Sequence, residues 1–226
     1  MAKIETPHQK WVRFLYCYPN TVTENLVRLV AEEETLCKYF DIPYQHASRN
    51  VLDRMKRGGS REAFERQIEQ IRKINPHAGL RTSFIAGFPG ETEEDFKEVL
   101  QFMDNAAFDN VGVFLYSDEE GTGAFDLDGK VPRRTAVRRR NQVMKRQAGI
   151  SKKKLKEMVG RRVDVLVEGA SEESELLLKG RMETQAPDID GHILINDSGE
   201  IAVKTGEFYQ VEITESMEYD LIGRIV

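Results

Sequence analysis

Two different spacings of apolar residues divide the chain. Up to about residue 131, short apolar runs alternate with stretches in which apolar residues recur every three or four positions. The first run, WVRFLYCYP, is rich in aromatic and β-branched residues and stops at Pro19, which predicts a strand. A helix follows behind Thr23 as N-cap, with Leu26, Val27, Leu29 and Val30 as its apolar stripe. CKYFDIP predicts a second strand, closed by Pro43. SREAFERQIEQIRKI returns to helical spacing, placing Phe64, Ile68 and Ile71 on one face behind the cap Ser60. LRTSFIAGFPG is the clearest strand, and it runs into turn chemistry at Gly87, Pro89 and Gly90. ETEEDFKEVLQFMDNA predicts a helix whose first-turn acids suit the positive end of its dipole, with Thr92 and Asp95 as its cap. VGVFLYS predicts a fourth strand.

Strand alternating with helix implies βα units and a parallel sheet. Right-handed crossovers then collect the strand C-termini on one edge, where sites form. The residues just past those ends are Tyr18 and Pro19, then Tyr44, Gln45 and His46, then Phe88 to Glu91, then Ser117 to Thr122. Four units are too few to close an eight-stranded barrel, so an open arc is expected. From Val159 the pattern becomes single alternation: RRVDVLVEG, LLLKGRM, HILIND, FYQVEITE and DLIGRIV predict five short strands of a small antiparallel barrel, an architecture that includes the OB-like binding folds. The expected class is therefore α/β plus all-β. Its units are residues 1–131 (part of a βα barrel), 132–158 (a basic helical connector) and 159–226 (the β-barrel).

Composition narrows this little. A hydrophobic share of 40% and a charged share of 31% fit a globular domain. No apolar run is long enough to span a bilayer and the first ten residues lack the apolar core of a secretory signal, so the expected location is cytoplasmic, without membrane contact. Cys17 and Cys37 lie far apart without neighbouring ligands, unlike a zinc or iron–sulfur motif, and read as small buried side chains.

The net charge of −5 conceals a cationic stretch. Arg134, Arg138, Arg139, Arg140, Lys145, Arg146, Lys152, Lys153 and Lys154 lie between Arg133 and Lys156 with no acid among them. Such a run suits either RNA or a ribosomal surface, and equally a solvated helix. Among candidate chemical groups, His46 beside Gln45 gains interest from its place at the sheet edge. GFPGET resembles a phosphate-binding turn in its glycines and following helix, but it is neither a Walker loop nor GxGxxG. Asp118, Glu119 and Glu120 read as a solvated turn.

The strings WVRFLYCYPN, CKYFDIPYQHAS, MKRGGSREAF, LRTSFIAGFPGETEEDF and VGVFLYSDEEGT together resemble, in order and spacing, the later strands of the methylthiotransferase branch of radical-SAM enzymes. The last domain resembles a TRAM domain, so the resemblance covers nearly the whole chain. Gly180, Arg181 and the QAPDIDG segment of residues 185–191 are similar to the subfamily that methylthiolates an aspartate of a small-subunit ribosomal protein, rather than to the one that modifies an adenosine of tRNA. An acidic barrel also suits a basic ribosomal protein better than RNA.

The resemblance implies a 4Fe–4S cluster on a CxxxCxxC loop that reduces S-adenosylmethionine to a 5′-deoxyadenosyl radical. It also implies a second cluster for sulfur transfer and a second S-adenosylmethionine as methyl donor. The CxxxCxxC loop is absent from these residues, so no cluster, metal ligand or catalytic residue is assigned to this chain alone, and whether it acts as an enzyme is left open. The pocket wall implied by position is Gln45, His46, Arg81, Thr82, Ser83, Gly87, Gly90, Glu91 and Tyr116. Arg181, Gln185, Asp188 and Asp190 are the implied substrate-binding residues. The implied partners are a small-subunit ribosomal protein, RNA through the connector, and either a missing N-terminal half or a second copy along the bare edge of the first strand, which predicts poor solubility or self-association. A fragment of the tRNA enzyme and a non-enzymatic binding module are the competing expectations.

Overall fold

In a computed structural model the described residues are 11–226 except Glu173 and Glu175. Helix α1 (Glu24–Glu32) starts where Thr23 accepts a hydrogen bond from the Leu26 amide. Strand β1 (Tyr39–Asp41) is followed by α2 (Arg49–Arg54), a short helix that the apolar spacing did not predict. Helix α3 (Arg61–Ile74) is capped by Ser60, and α4 (Glu93–Ala106) by a reciprocal Thr92–Asp95 capping box. Strands β2 (Gly79–Ala86) and β3 (Asn110–Leu115) complete a parallel sheet in the order β1-β2-β3.

Residues 11–19 do not form the first strand expected of them. They run beside β1, where the Cys17 amide donates to the Asp41 carbonyl and Val12 forms a single bridge with Leu36. Tyr16 adopts φ 57°, a left-handed turn that breaks the alternation a ladder requires. Val12, Leu15, Tyr16 and Tyr18 are left exposed.

Alternation along β2 separates the two faces of the sheet. Phe40 and Ile42, with Leu80 and Phe84 of β2 and Val111 of β3, pack under α1, α3 and α4. Arg81, Ser83 and Ile85 consequently point to the concave side, together with Asp41, Gly112 and Phe114. Helix α5 (Arg133–Lys156) covers the β3 end of the arc, burying Ala136, Arg139, Val143, Gln147 and Ser151 along one line.

The second unit is a closed barrel of β4 (Arg162–Ala170), β5 (Leu178–Arg181), β6 (Ile193–Asp197), β7 (Phe208–Ser216) and β8 (Leu221–Ile225), in the order β4-β5-β6-β8-β7. All five expected strands are present. Four pairings are antiparallel and β6–β8 is parallel. Val165, Val167, Met182, Ile193, Ile195, Val211, Ile213 and Leu221 fill its interior. No helix among the described residues is long and apolar enough to cross a membrane.

Candidate functional site

The concave face of the arc has a built upper edge and a plugged floor. At the upper edge the Gln45 amide donates to the Ser83 carbonyl and the Gln45 carbonyl accepts from Ile85, so Gln45, at φ 70°, prolongs the β1 ladder. His46 is fully buried. Its Nδ1 accepts from the Ser48 amide, and its Nε2, which has no hydrogen-bond partner, lies 3.8 Å from Glu91 Oε1. The Glu91 carboxylate accepts from the Gly87 amide and lies 3.5 Å from the Arg139 guanidinium, which donates to the Glu91 carbonyl at 3.0 Å.

His46, Glu91 and Arg139 thus join the β1 loop, the β2 turn and α5 in one buried polar cluster. Arg139, which the sequence presents as one more cation of the basic run, is its third member. The GFPGE turn closes on its own carboxylate: the Gly87 amide, the donor a bound anion would use, is taken by Glu91. Gly87, at φ 83°, sits so close to Ala136 that a Cβ would overlap it. Arg54 clamps the turn through the Pro89 carbonyl at 2.9 Å and holds Asp128 beyond it. Tyr116 packs edge-on against Phe88 at 5.2 Å and donates to Asp118.

Ser83 faces the concavity, which the exposed Phe114 also lines. Thr82 does not. Its hydroxyl donates to the Ile42 carbonyl and accepts from the Tyr44 amide on the helix side. Arg81 sits at the floor, paired with Asp190 at 2.8 Å and near Asp41 at 3.8 Å.

The floor is a contribution of the barrel domain. Asp190, with its side chain wholly buried, also accepts from the Tyr39 hydroxyl at 2.7 Å and from the Ala186 amide at 2.8 Å. Burial, with the adjacent Asp190 carboxylate, pushes the Tyr39 hydroxyl far above its ordinary value, and burial raises the Asp41 carboxyl. Gly191 lies so close to the Tyr219 carbonyl that any Cβ would overlap it. Gln185 accepts from the Met182 amide. The QAPDIDG loop therefore folds on itself and packs against the N-terminal ends of the paired strands β1 and β2.

The Arg13 guanidinium donates to the Glu183 carbonyl, the Lys38 backbone amide donates to the Glu183 carboxylate, and Trp11 packs edge-on against Phe208 at 4.8 Å, extending the joint. Arg181 is held by Glu168 at 2.7 Å over the Trp11 ring, whereas Asp188 is exposed at φ 65°. Of the residues proposed for substrate, the structure brings Gln185 and Asp190 into this joint, Arg181 beside it, and leaves Asp188 in solvent. Asp41 and Tyr39 were missed; the signal available was their alternation with Phe40 on a strand whose outward face is apolar.

A cluster held by three thiolates does not fit these residues. The chain has two cysteines, Cys17 half-buried and Cys37 buried against Tyr39 and Ala186, and burial pushes both thiols up. Among the described residues no group of three His, Cys, Asp or Glu side chains is placed to hold a metal.

The sequence signature of the radical SAM superfamily matches residues 1–103, and that of the TRAM domain matches residues 159–226. The chain is 50% identical over its full length to a protein of Solibacter usitatus named ribosomal protein uS12 methylthiotransferase RimO, covering 49% of that protein. The relative of the same name from Koribacter versatilis is also 50% identical, over 100% of the chain and 45% of its own length. That from Geobacter sulfurreducens is 44% identical over 96% of the chain and 48% of its own length. The chain thus spans about half the length of the curated relatives it matches. Among solved structures, coproporphyrinogen III oxidase (HemN) from Escherichia coli, a radical SAM enzyme, superposes on 62% of the chain and 32% of its own with a TM-score of 0.52 at 16% identity, a likeness of fold alone.

Proposed function

We propose that this chain, with a radical SAM segment followed by a TRAM domain, is a methylthiotransferase of the radical SAM superfamily and forms part of a cytoplasmic enzyme that methylthiolates an aspartate of ribosomal protein uS12. The observation that carries the reading is a match of 50% overall identity that spans both domains and the connector, rather than the barrel arc alone. In this reading the concave face supplies one wall of the pocket for S-adenosylmethionine and the substrate segment. Gln45 and Ser83 face that pocket, and His46, Glu91, Gly87 and Gly90 fix its rim. The iron–sulfur clusters belong to residues other than these.

The TRAM barrel meets the basic protein substrate. Residues 159–226 hold fifteen Asp and Glu against six Lys and Arg, a field that attracts a cationic ribosomal protein and repels RNA phosphates. RNA contact falls to the basic connector. Val12, Leu15 and Tyr16 take a neighbouring polypeptide, either further chain of the same enzyme or a second copy.

Titration of the chain with purified uS12 and, separately, with tRNA across a salt series tests the partner. Saturable uS12 binding, abolished by neutralising Asp and Glu of the barrel, is expected. Tighter binding of tRNA through the barrel, with a steep salt slope, would transfer the chain to the tRNA-modifying subfamily.

A further inference from the structure

The longest helix carries a charge pattern that neither the fold nor the pocket uses. The buried line of α5 runs through Ala136, Arg139, Val143, Gln147 and Ser151. Half a turn round the helix, pointing straight into solvent, lie Arg134, Arg138, Asn141, Lys145, Gly149, Lys152 and Lys156. All seven are exposed; five are cations and none is an acid. At 1.5 Å per residue the row from Arg134 to Lys156 is about 33 Å long.

Of the five cations, only Arg138 has an ion-pair partner among the described residues, the exposed Glu93. Cations elsewhere on the same helix are engaged instead: Arg139 on the buried line with Glu91 and Glu93, Arg146 with Asp104, Lys154 with Asp109. Arg134 with Arg138, and Lys152 with Lys156, are like-charge pairs at four-residue spacing, which destabilise a helix. Among the described residues, only the Arg138–Glu93 pair offsets any of that repulsion.

A basic helix that lies on a membrane needs a free apolar face to insert. Here Val143 and Ile150 are committed to the core of the arc. A basic ribosomal protein would be repelled by the row. A straight row of cations, four of its five without an ion-pair partner among the described residues, matches a partner whose charge is also linear, and a nucleic-acid backbone is that partner. We infer that Arg134, Arg138, Lys145, Lys152 and Lys156 form a docking strip for the phosphate backbone of structured RNA, read without regard to base sequence. The strip deepens the ribosomal reading of the connector, yet it stands on charge geometry and is tested without reference to uS12.

Fluorescence anisotropy of a labelled RNA hairpin with the full chain, between about 50 and 200 mM salt, reads the strip directly. Four or five phosphate contacts predict a log–log salt slope of about −3 to −4. The variant R134Q/K145Q/K152Q/K156Q, which keeps Arg138, should bring the slope to about −1 and weaken low-salt binding by about a hundredfold. The control R161Q/R162Q/K204Q, on exposed barrel positions, should bind within about twofold of the parent. Circular dichroism melts of both variants verify that they fold.

Absence of binding at low salt, or equal binding by the strip variant, would overturn the inference. So would competition by poly-glutamate as effective as that by unlabelled RNA, since a general polyanion site would then suffice. Salt-dependent self-association that the strip variant abolishes, seen by sedimentation, would assign the row to the acidic barrel of a second copy instead.

Discussion

The βα arc and the β-barrel solve the same problem, the free edges and faces of a small sheet, in opposite ways. The barrel closes on itself: each of its five strands has two neighbours and its apolar residues meet in one interior. The arc has three parallel strands, helices on one side only, and a concave face carrying Asp41, Arg81 and Ser83. It borrows its closure at the floor from the barrel domain, through Asp190. The self-sufficient unit thus contributes the buried carboxylate on which the open unit depends.

That dependence gives the largest expected effect. Asp190→Asn leaves Arg81 without its nearest carboxylate in a buried setting, and a loss of about 3–5 kcal/mol is expected in chemical denaturation. Hydrogen exchange should show β1 and β2 losing protection while β4 and β7 retain theirs; equal loss in both units would end the asymmetry. Gly191→Ala is next. Its methyl group must displace the Tyr219 carbonyl, so the loop shifts and Asp190 with it, at a cost of about 2–3 kcal/mol. Recovery of wild-type stability with a Cβ at 191 would show that the loop is not tightly seated.

Smaller effects come from two carboxyls of the arc with opposite shifts. Burial opposes ionisation of Asp95, but hydrogen bonds from Ser48, Thr92 and Asn50 prevail and hold its carboxyl below the ordinary 3.8. Its contribution is therefore present above that ordinary value and lost as pH falls through the lowered one. Asp95→Asn should cost about 1–2 kcal/mol at neutral pH and flatten the acid limb of the stability curve.

Asp41 is shifted the other way, chiefly by burial and against the Tyr16 amide and Arg81. Its contribution is present below the ordinary value and lost as pH rises through the raised one, so Asp41→Asn should remove a decline in stability on the alkaline side of that value. Urea midpoints across pH read both. The smallest effect is expected on the barrel surface: Glu212→Gln breaks an exposed pair with Arg224 and should change stability by less than about 0.5 kcal/mol.

Where local chemistry decides structure, the sequence was legible. Thr23, Ser60 and Thr92 cap the helices they were expected to cap, and single alternation after Val159 marks all five barrel strands. Residues 11–19 carry strand composition, yet Tyr16 in a left-handed turn ends the ladder, because propensity fixes side-chain type and not pairing. Helix α2 is too short for apolar periodicity to register.

The candidate site was half legible. Gln45, His46 and Glu91 could be placed by their position after strands. Arg81 and Asp190, 109 positions apart, meet only through tertiary packing, and no local pattern encodes such a pair. Arg139 was hidden for a related reason: within a basic run, only the buried line of α5 distinguishes it from its solvated neighbours.

Methylthiolation of uS12 is the proposed activity of the enzyme of which this chain forms part. Joining it to the part of the Solibacter usitatus relative that it does not match, reconstituting the chimera anaerobically with iron, sulfide and S-adenosylmethionine, and analysing uS12 by tandem mass spectrometry tests that claim most directly. A methylthio group on one uS12 aspartate, sharply reduced by Asp190→Asn, is the predicted result. A chimera that cleaves S-adenosylmethionine but modifies a tRNA adenosine, or leaves uS12 untouched, would contradict it.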